Sequence, residues 1–305
     1  MPESPMAATP YEVLGVAASA SDVQLRRAYR RRLRETHPDT GGRAAEFMAV
    51  QLAWERVGTS ASRALYDAGR SRSTVHETFE AGAPTPRRDT RPGARSHGHP
   101  GGWRRERYLA TIREWVGRGV DLPNPYDPAI VRSAPREIRH VLADAIAEES
   151  TATGLTPLGI AFTLWHDVAS SSNPEDKIDH IVLGPTGLYA ILSEDWGGEV
   201  RVRKGELVGP TLGSGERPFA SLAARARSVS RATRVRFDAL VIVVPDADTD
   251  AGLTLAGRIR SVPTALVARS RLQELMRDGL PGTPAVGGSE LFEIRTRLLA
   301  AVRFV

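Results

Sequence analysis

Two short stretches carry side chains whose types and spacing suit chemistry. His37-Pro38-Asp39 puts an imidazole and a carboxylate on either side of a proline. The proline ring fixes φ and removes a backbone donor, so it stiffens the loop. Asp39 is an acceptor for a cation on a partner, and His37 is a donor and acceptor beside it. Immediately upstream, Arg27, Arg30, Arg31 and Arg34 stand at i, i+3, i+4 and i+7, with Arg26 adjoining, which lines one face of a helix with positive charge. A merely solvated face is the plainer alternative. The second stretch is Asp179-His180, whose carboxylate is an oxygen donor of the kind that holds hard divalent cations. The only lysines are Lys177 and Lys204. The plainer alternative for Asp179-His180 is a strand-end pair bonded to nearby backbone. His97 and His99 flank Gly98, and a linker position explains them more simply than a metal does.

The elements that must position these groups are legible from periodicity. Four helices are expected in residues 10–69. The second begins at a Ser21-Asp22 cap, buries Leu25, Tyr29 and Leu33 as an i, i+4, i+8 stripe, and ends near Thr36 because Pro38 disfavours helix before it. The third, 44–57, places Phe47, Val50 (or Gln51) and Trp54 on one face. Residues 70–104, rich in proline and glycine and poor in apolar side chains, bury too little surface to offset chain entropy and are expected to form a flexible basic linker. From 105 onward, helices at 107–116, 135–149 and 219–233 alternate with strands at 162–168, 177–183, 187–192, 199–207, 237–244 and 264–268, and helices at 270–278 and 289–302 follow. This order implies an α/β domain with a mixed sheet, 105–305. The chain as a whole is then α+β multidomain, with an all-α N-terminal part.

Composition narrows the function classes. The absence of cysteine excludes disulfides, cysteine-ligated zinc and thiol catalysis. The most apolar run, 237–244, is far short of the roughly 20 residues that span a bilayer, so no membrane partner is expected, and a cytosolic protein is. The net charge of +5 is uneven: residues 71–107 carry eight basic and four acidic side chains, whereas 108–305 are nearly balanced. That distribution argues against nucleic acid as the partner of the C-terminal domain. Arg227, Arg231 and Arg234 nevertheless share a helix face suited to phosphates.

The residues of 9–69 resemble a J domain. Pro10-Tyr11-Glu12-Val13-Leu14-Gly15-Val16 is similar to its opening, Ala28-Tyr29-Arg30 with His37-Pro38-Asp39 to its second helix and signature loop, and Phe47, Ala53-Trp54-Glu55 and Arg63-Ala64-Leu65-Tyr66-Asp67 to its last two helices. The resemblance implies a co-chaperone that binds a DnaK-type chaperone and stimulates its ATPase, with Arg26, Arg30 and Arg31 at contact positions beside the loop. Thr36 departs from the aromatic common before the histidine. The Gly/Phe-rich and zinc segments of full-length DnaJ proteins are absent, which implies a specialised C-terminal domain for an unknown client. Lys177 through Ile191, within about 135–278, resembles the central motif of the nuclease-related domain (NERD), of restriction-endonuclease-like type. The resemblance implies Asp179 as first acid, Glu137 as helix acid, and a Glu-x-Lys where this chain reads Leu192-Ser193-Glu194. With that second acid and lysine missing, and Glu194 or Asp195 as displaced acids, the expected site is degenerate. No cofactor and no catalysis are expected, and a nucleic-acid-processing enzyme is the alternative.

Overall fold

A computed structural model describes residues 4–37, 42–72 and 92–305. The chain divides into two compact units, one of residues 1–80 and 120–135, the other of 81–119 and 136–305.

In the first unit, α1 (Pro10–Leu14) and α2 (Asp22–Glu35) both begin with capping boxes. Thr9 and Ser21 accept the N–H of Glu12 and Gln24, whose side chains accept the N–H of the cap in return. Gly15 closes α1 in the left-handed region at φ 68°. α3 (Ala44–Val57) and α4 (Ser60–Arg72) complete the helices, and Tyr11, Leu14, Leu25, Val50, Ala53 and Val57 form the core. Tyr29 stacks on Trp54 with ring centroids 4.4 Å apart. Arg63 ties the unit together: its guanidinium lies over the Tyr11 ring and donates to Asp22 at 3.0 Å and to the Ala18 carbonyl at 2.8 Å.

The second unit is a sheet between helical layers. Its strands are β1 (Arg95–His97), β2 (Thr163–Ala169), β3 (Lys177–Gly184), β4 (Gly187–Ser193), β5 (Arg201–Arg203), β6 (Glu206–Val208), β7 (Ala239–Val244), β8 (Leu253–Ile259) and β9 (Val262–Ala268). Seven of them form one mixed sheet in the order β1-β2-β3-β4-β7-β9-β8; β5 and β6 pair separately. β4, β7 and β9 are mutually parallel, and β2, β3 and β4 form an antiparallel meander. α8 (Pro218–Thr233) and α10 (Gly288–Ala301) pack on one face. The other face meets Leu155 of α7 (Arg136–Leu155) and Leu272, Leu275 and Met276 of α9 (Leu272–Asp278). β7 is buried at every residue, as expected of a parallel strand covered on both faces. α5 (Gly102–Val116) packs on α7, and α6 (Pro128–Ser133), capped by Asp127, groups with the first unit.

Three expectations need correction. The linker expected over 70–104 does not reach 104: residues 95–97 join the sheet beside β2, and α5 starts at Gly102. Backbone pairing there replaces the apolar burial that the composition lacks. The rest of that linker, 73–91, lies outside the described residues. Second, residues 120–135 leave the domain expected to run unbroken from 105 to 305. Third, the single strand expected at 199–207 is two short ones, folded back at Lys204 and Gly205, both at positive φ.

Candidate functional site

In the second unit a cluster of opposite charges is buried between β2, β3 and α7. Lys177 is 1% exposed, and its Nζ donates to Glu148 Oε2 at 2.6 Å, Asp167 Oδ1 at 2.6 Å and Asp179 Oδ1 at 2.8 Å. The three carboxylates lie within 4.8 Å of one another and are 0–2% exposed. Asp179 also accepts the Ser193 N–H at 2.7 Å. Next to this group Arg104 donates to Asp144, Glu148 and Glu194 at 2.6, 3.0 and 3.2 Å, and His140 lies 3.4 Å from Asp144. The start of α5 supplies orphan helix N–H groups: Gly101 to Glu148 at 3.1 Å and Trp103 to Asp167 at 3.4 Å.

Local backbone geometry aims these side chains. Trp165 and Val168 share one hydrophobic core although they are three residues apart, as do Ile178 and Ile181 on the neighbouring strand. Strict alternation puts residues three apart on opposite faces. The pleat is therefore broken on both strands, and Asp167, at φ 54°, marks the break. A non-glycine residue there stores about 1–3 kcal/mol of strain. The break turns Asp167 and Asp179 toward α7, where Lys177 holds them.

The electrostatics follow from five carboxyl groups (Asp144, Glu148, Asp167, Asp179 and Glu194) facing two fixed cations. Burial would lower the Lys177 ammonium, but Asp179, Glu148 and Asp167 outweigh it and hold its pKa above the ordinary value. Burial would likewise raise Asp179, yet Lys177 and Arg104 keep it below the usual carboxylate range. Glu148 and Asp144 go the other way. Burial raises both; the Asp179 charge adds to the rise at Glu148, and at Asp144 the Glu194 charge adds to it against Arg104. A second buried pair adjoins: His166 Nδ1 is 2.7 Å from His180 Nδ1, and His166 Nε2 is 3.0 Å from Ser96 Oγ. Burial lowers His166 to about 4, and burial with His166 lowers His180 well below its ordinary value.

The first unit presents its charge to water instead. Arg26, Arg27, Arg30, Arg31 and Arg34 are all exposed on α2, opposite buried Leu25 and Ala28 and half-buried Tyr29 and Leu33. Arg31 is 3.8 Å from Glu35, and Arg34 donates to the Arg30 carbonyl, whereas Arg26, Arg27 and Arg30 make no ion pair among the described residues. His37, at the end of this helix, meets the Phe47 ring edge-on at 5.1 Å, and its carbonyl accepts the Gly42 N–H. Pro38 and Asp39 lie outside the described residues. Thr36 is buried, with its hydroxyl on the Arg32 carbonyl.

The family model for the DnaJ domain matches residues 9–67. Residues 9–67 are a DnaJ domain. The chain is 40% identical over 76 residues to the chaperone protein DnaJ of Erysipelothrix rhusiopathiae, covering 24% of this chain and 19% of that one. It is 41% identical over 61 residues to the chaperone protein DnaJ 1 of Cutibacterium acnes, covering 19% and 16%. A tetratricopeptide repeat and J domain-containing co-chaperone of Mycosarcoma maydis is 39% identical over 59 residues, covering 19% and 10%. The chain thus spans under a fifth of each of these relatives. No solved structure matches it.

Outside the DnaJ domain, the structure rearranges the sequence-based site. Asp179 is in the cluster, and Glu194 reaches it through Arg104. Glu137 does not join it: it is exposed on the first turn of α7, and the helix acid beside Asp179 is Glu148. Eleven residues are close to three turns, so periodicity alone does not separate the two. Lys177, two residues before Asp179 on the same strand, donates to it, although it does not stand at the Glu-x-Lys position. Leu192, at the expected acid position, is in the apolar core instead. Asp144, Glu148, Asp167 and Arg104 were not singled out from sequence; acids at i, i+4 amid the buried alanines Ala143, Ala145 and Ala147 were the available signal. His97 stacks on Trp165, and Gly98 ends β1 at φ 84°, where a Cβ would strike the His166 carbonyl oxygen and the Phe304 ring.

Replacing Lys177 by Met leaves three buried carboxylates without their cation, and the expected loss is about 3–5 kcal/mol in urea unfolding of the sheet domain. His166→Gln tests the neighbouring pair. The unfolded chain takes up a proton near the ordinary histidine value, the folded one only near 4, so His166 costs stability as pH falls through that interval. The glutamine variant is expected to keep more of its Tm than the parent between pH 6.5 and 4.

Proposed function

We propose that this protein is a J-domain co-chaperone that docks on a DnaK-type chaperone and stimulates its ATPase, while its C-terminal sheet domain serves as the module that binds a client or location. The observation that carries this reading is the exposed arginine face of α2, where Arg26, Arg27 and Arg30 make no ion pair among the described residues, just before the His37-Pro38-Asp39 sequence. Such a face complements an acidic surface and raises the rate of encounter. The relatives' names, DnaJ and J domain-containing co-chaperone, support it for residues 9–67. This reading places the protein in the cytosol beside its chaperone.

For the C-terminal domain we favour a fold of the nuclease-related, restriction-endonuclease-like type. In its support, the stretch from Lys177 to Ile191 forms the β3–β4 hairpin, and a helix acid and a lysine meet Asp179. The same cluster favours a second reading, metal-dependent processing of nucleic acid. Against that reading, catalysis needs an open coordination position, whereas these carboxylates are buried, bonded to Lys177 and covered by the α5 terminus. Binding without cleavage is therefore the reading we hold.

The full chain is expected to accelerate ATP hydrolysis by its cognate DnaK-type chaperone in single-turnover assays. His37→Gln or Asp39→Asn should abolish the effect while circular dichroism stays unchanged; stimulation by a folded loop variant contradicts the proposal. Arg30→Glu or Arg31→Glu should weaken association more at low than at high salt, because exposed charges are screened.

A further inference from the structure

At the end of the sheet where β7 begins, two adjoining hollows open between α8, α10 and the β8–β9 hairpin. The smaller, about 170 Å³, has an apolar floor that includes Ala226, Phe237, Leu240 and Ile259, and Arg227, Arg236 and Arg260 stand around it. The larger, about 500 Å³, shares Arg236, Phe237 and Val262 with it and adds Arg234, Arg258 and Arg297. Backbone geometry fixes several of these cations. Arg260 and Ser261 make the hairpin turn with φ of 48° and 69°, Arg234 is left-handed at 55°, and Arg297 donates to the Arg234 carbonyl at 3.2 Å. Arg258 is likewise held on the Ser261 carbonyl. The side chains of Arg227 and Arg260 at the pit, and of Arg234 in the larger hollow, make no hydrogen bond or ion pair among the described residues, so positive charge without a partner of its own stands around both hollows.

We infer that this cleft binds an acidic peptide segment that seats one aliphatic or aromatic side chain in the pit between Arg227, Arg236 and Arg260. The inference rests on the reading of the C-terminal domain as a binding module and names the chemistry of its partner. Charge complementarity selects an anion, and the apolar floor selects a ligand that is more than an anion: a phosphate would leave it empty. A nucleic-acid strand fits less well. Single strands are held by bases stacked on aromatic faces, and the one aromatic lining these hollows, Phe237, is buried at 3% exposure. The larger hollow also carries Glu290, Glu293 and Asp238, which repel a backbone charged at every nucleotide. A peptide places its carboxylates only where arginines wait and offers neutral groups elsewhere. This mode, an apolar anchor in a pit within a charged rim, concentrates binding energy in one buried side chain.

The test is fluorescence anisotropy with the purified full chain, without any chaperone, and a fluorescein-labelled peptide of glutamates around a central phenylalanine. Saturable binding is expected, weakened about tenfold or more by Arg227→Glu with Arg260→Glu, and equally by serine in place of the peptide's phenylalanine. Arg260→Glu alone, on an exposed turn, should weaken it in the same direction and guards against misfolding of the double variant. Absence of binding, binding indifferent to these changes, or displacement by a thymidine oligonucleotide at lower concentration than by unlabelled peptide overturns the inference. Because no chaperone is present, failure to stimulate an ATPase leaves this result untouched, and the reverse holds as well.

Discussion

The second unit depends on one buried ammonium. An isolated lysine taken out of water is costly enough to lose its proton, and three isolated carboxylates packed within 4.8 Å would repel. Each makes the other tenable. Lys177 draws one acid from α7, one from β2 and one from its own strand, so a single side chain pins two strands and a helix. The negative charge left over then requires Arg104 and the N–H groups of Gly101 and Trp103, which recruits the chain before α5 into the domain. Removing one partner of such a group exposes the unmet charge of the rest, which is why the arrangement is stringent without contributing much net stability.

The first unit uses charge in the opposite way. Its arginines are splayed into solvent, where each is worth little to folding, and its stability comes from Leu14, Leu25, Val50 and Val57 and from the Tyr29–Trp54 stack. Charge that does not stabilise a fold is free to meet a partner. The same distinction applies within the sheet domain, between the paired charges at Lys177 and the pit beside Phe237, where Arg227 and Arg260 make no ion pair among the described residues.

The sequence made elements with strong period or caps readable. α3 runs from 44 to 57 as its apolar spacing requires, and α2 starts at its Ser21 cap and ends at Glu35 before Thr36. β8 was missed because it is an edge strand with Leu253 and Leu255 exposed, and because its turn uses Arg260-Ser261 in place of the glycine or asparagine that marks such hairpins. Asp179 was readable from its motif, but its partners were not. They depend on the break in the pleat at Asp167, which carries no compositional mark, and on a segment whose proline and glycine content resembles linker. Lys177 was visible, and its contact with Asp179 lay within reach of the sequence, since strand geometry puts i and i+2 on one side.

The central claim is that the Lys177 ammonium occupies the centre between the carboxylates at Asp179 and leaves no place for a metal ion. Thermal unfolding of the full chain with and without millimolar Mn²⁺ tests it most directly, for the parent and for Lys177→Ala. The account expects no metal-induced rise in Tm for the parent, and for the variant a lowered Tm that Mn²⁺ partly restores, since three convergent oxygens then face an open centre. A Tm of the parent that rises with Mn²⁺, while that of Lys177→Ala does not, would contradict it.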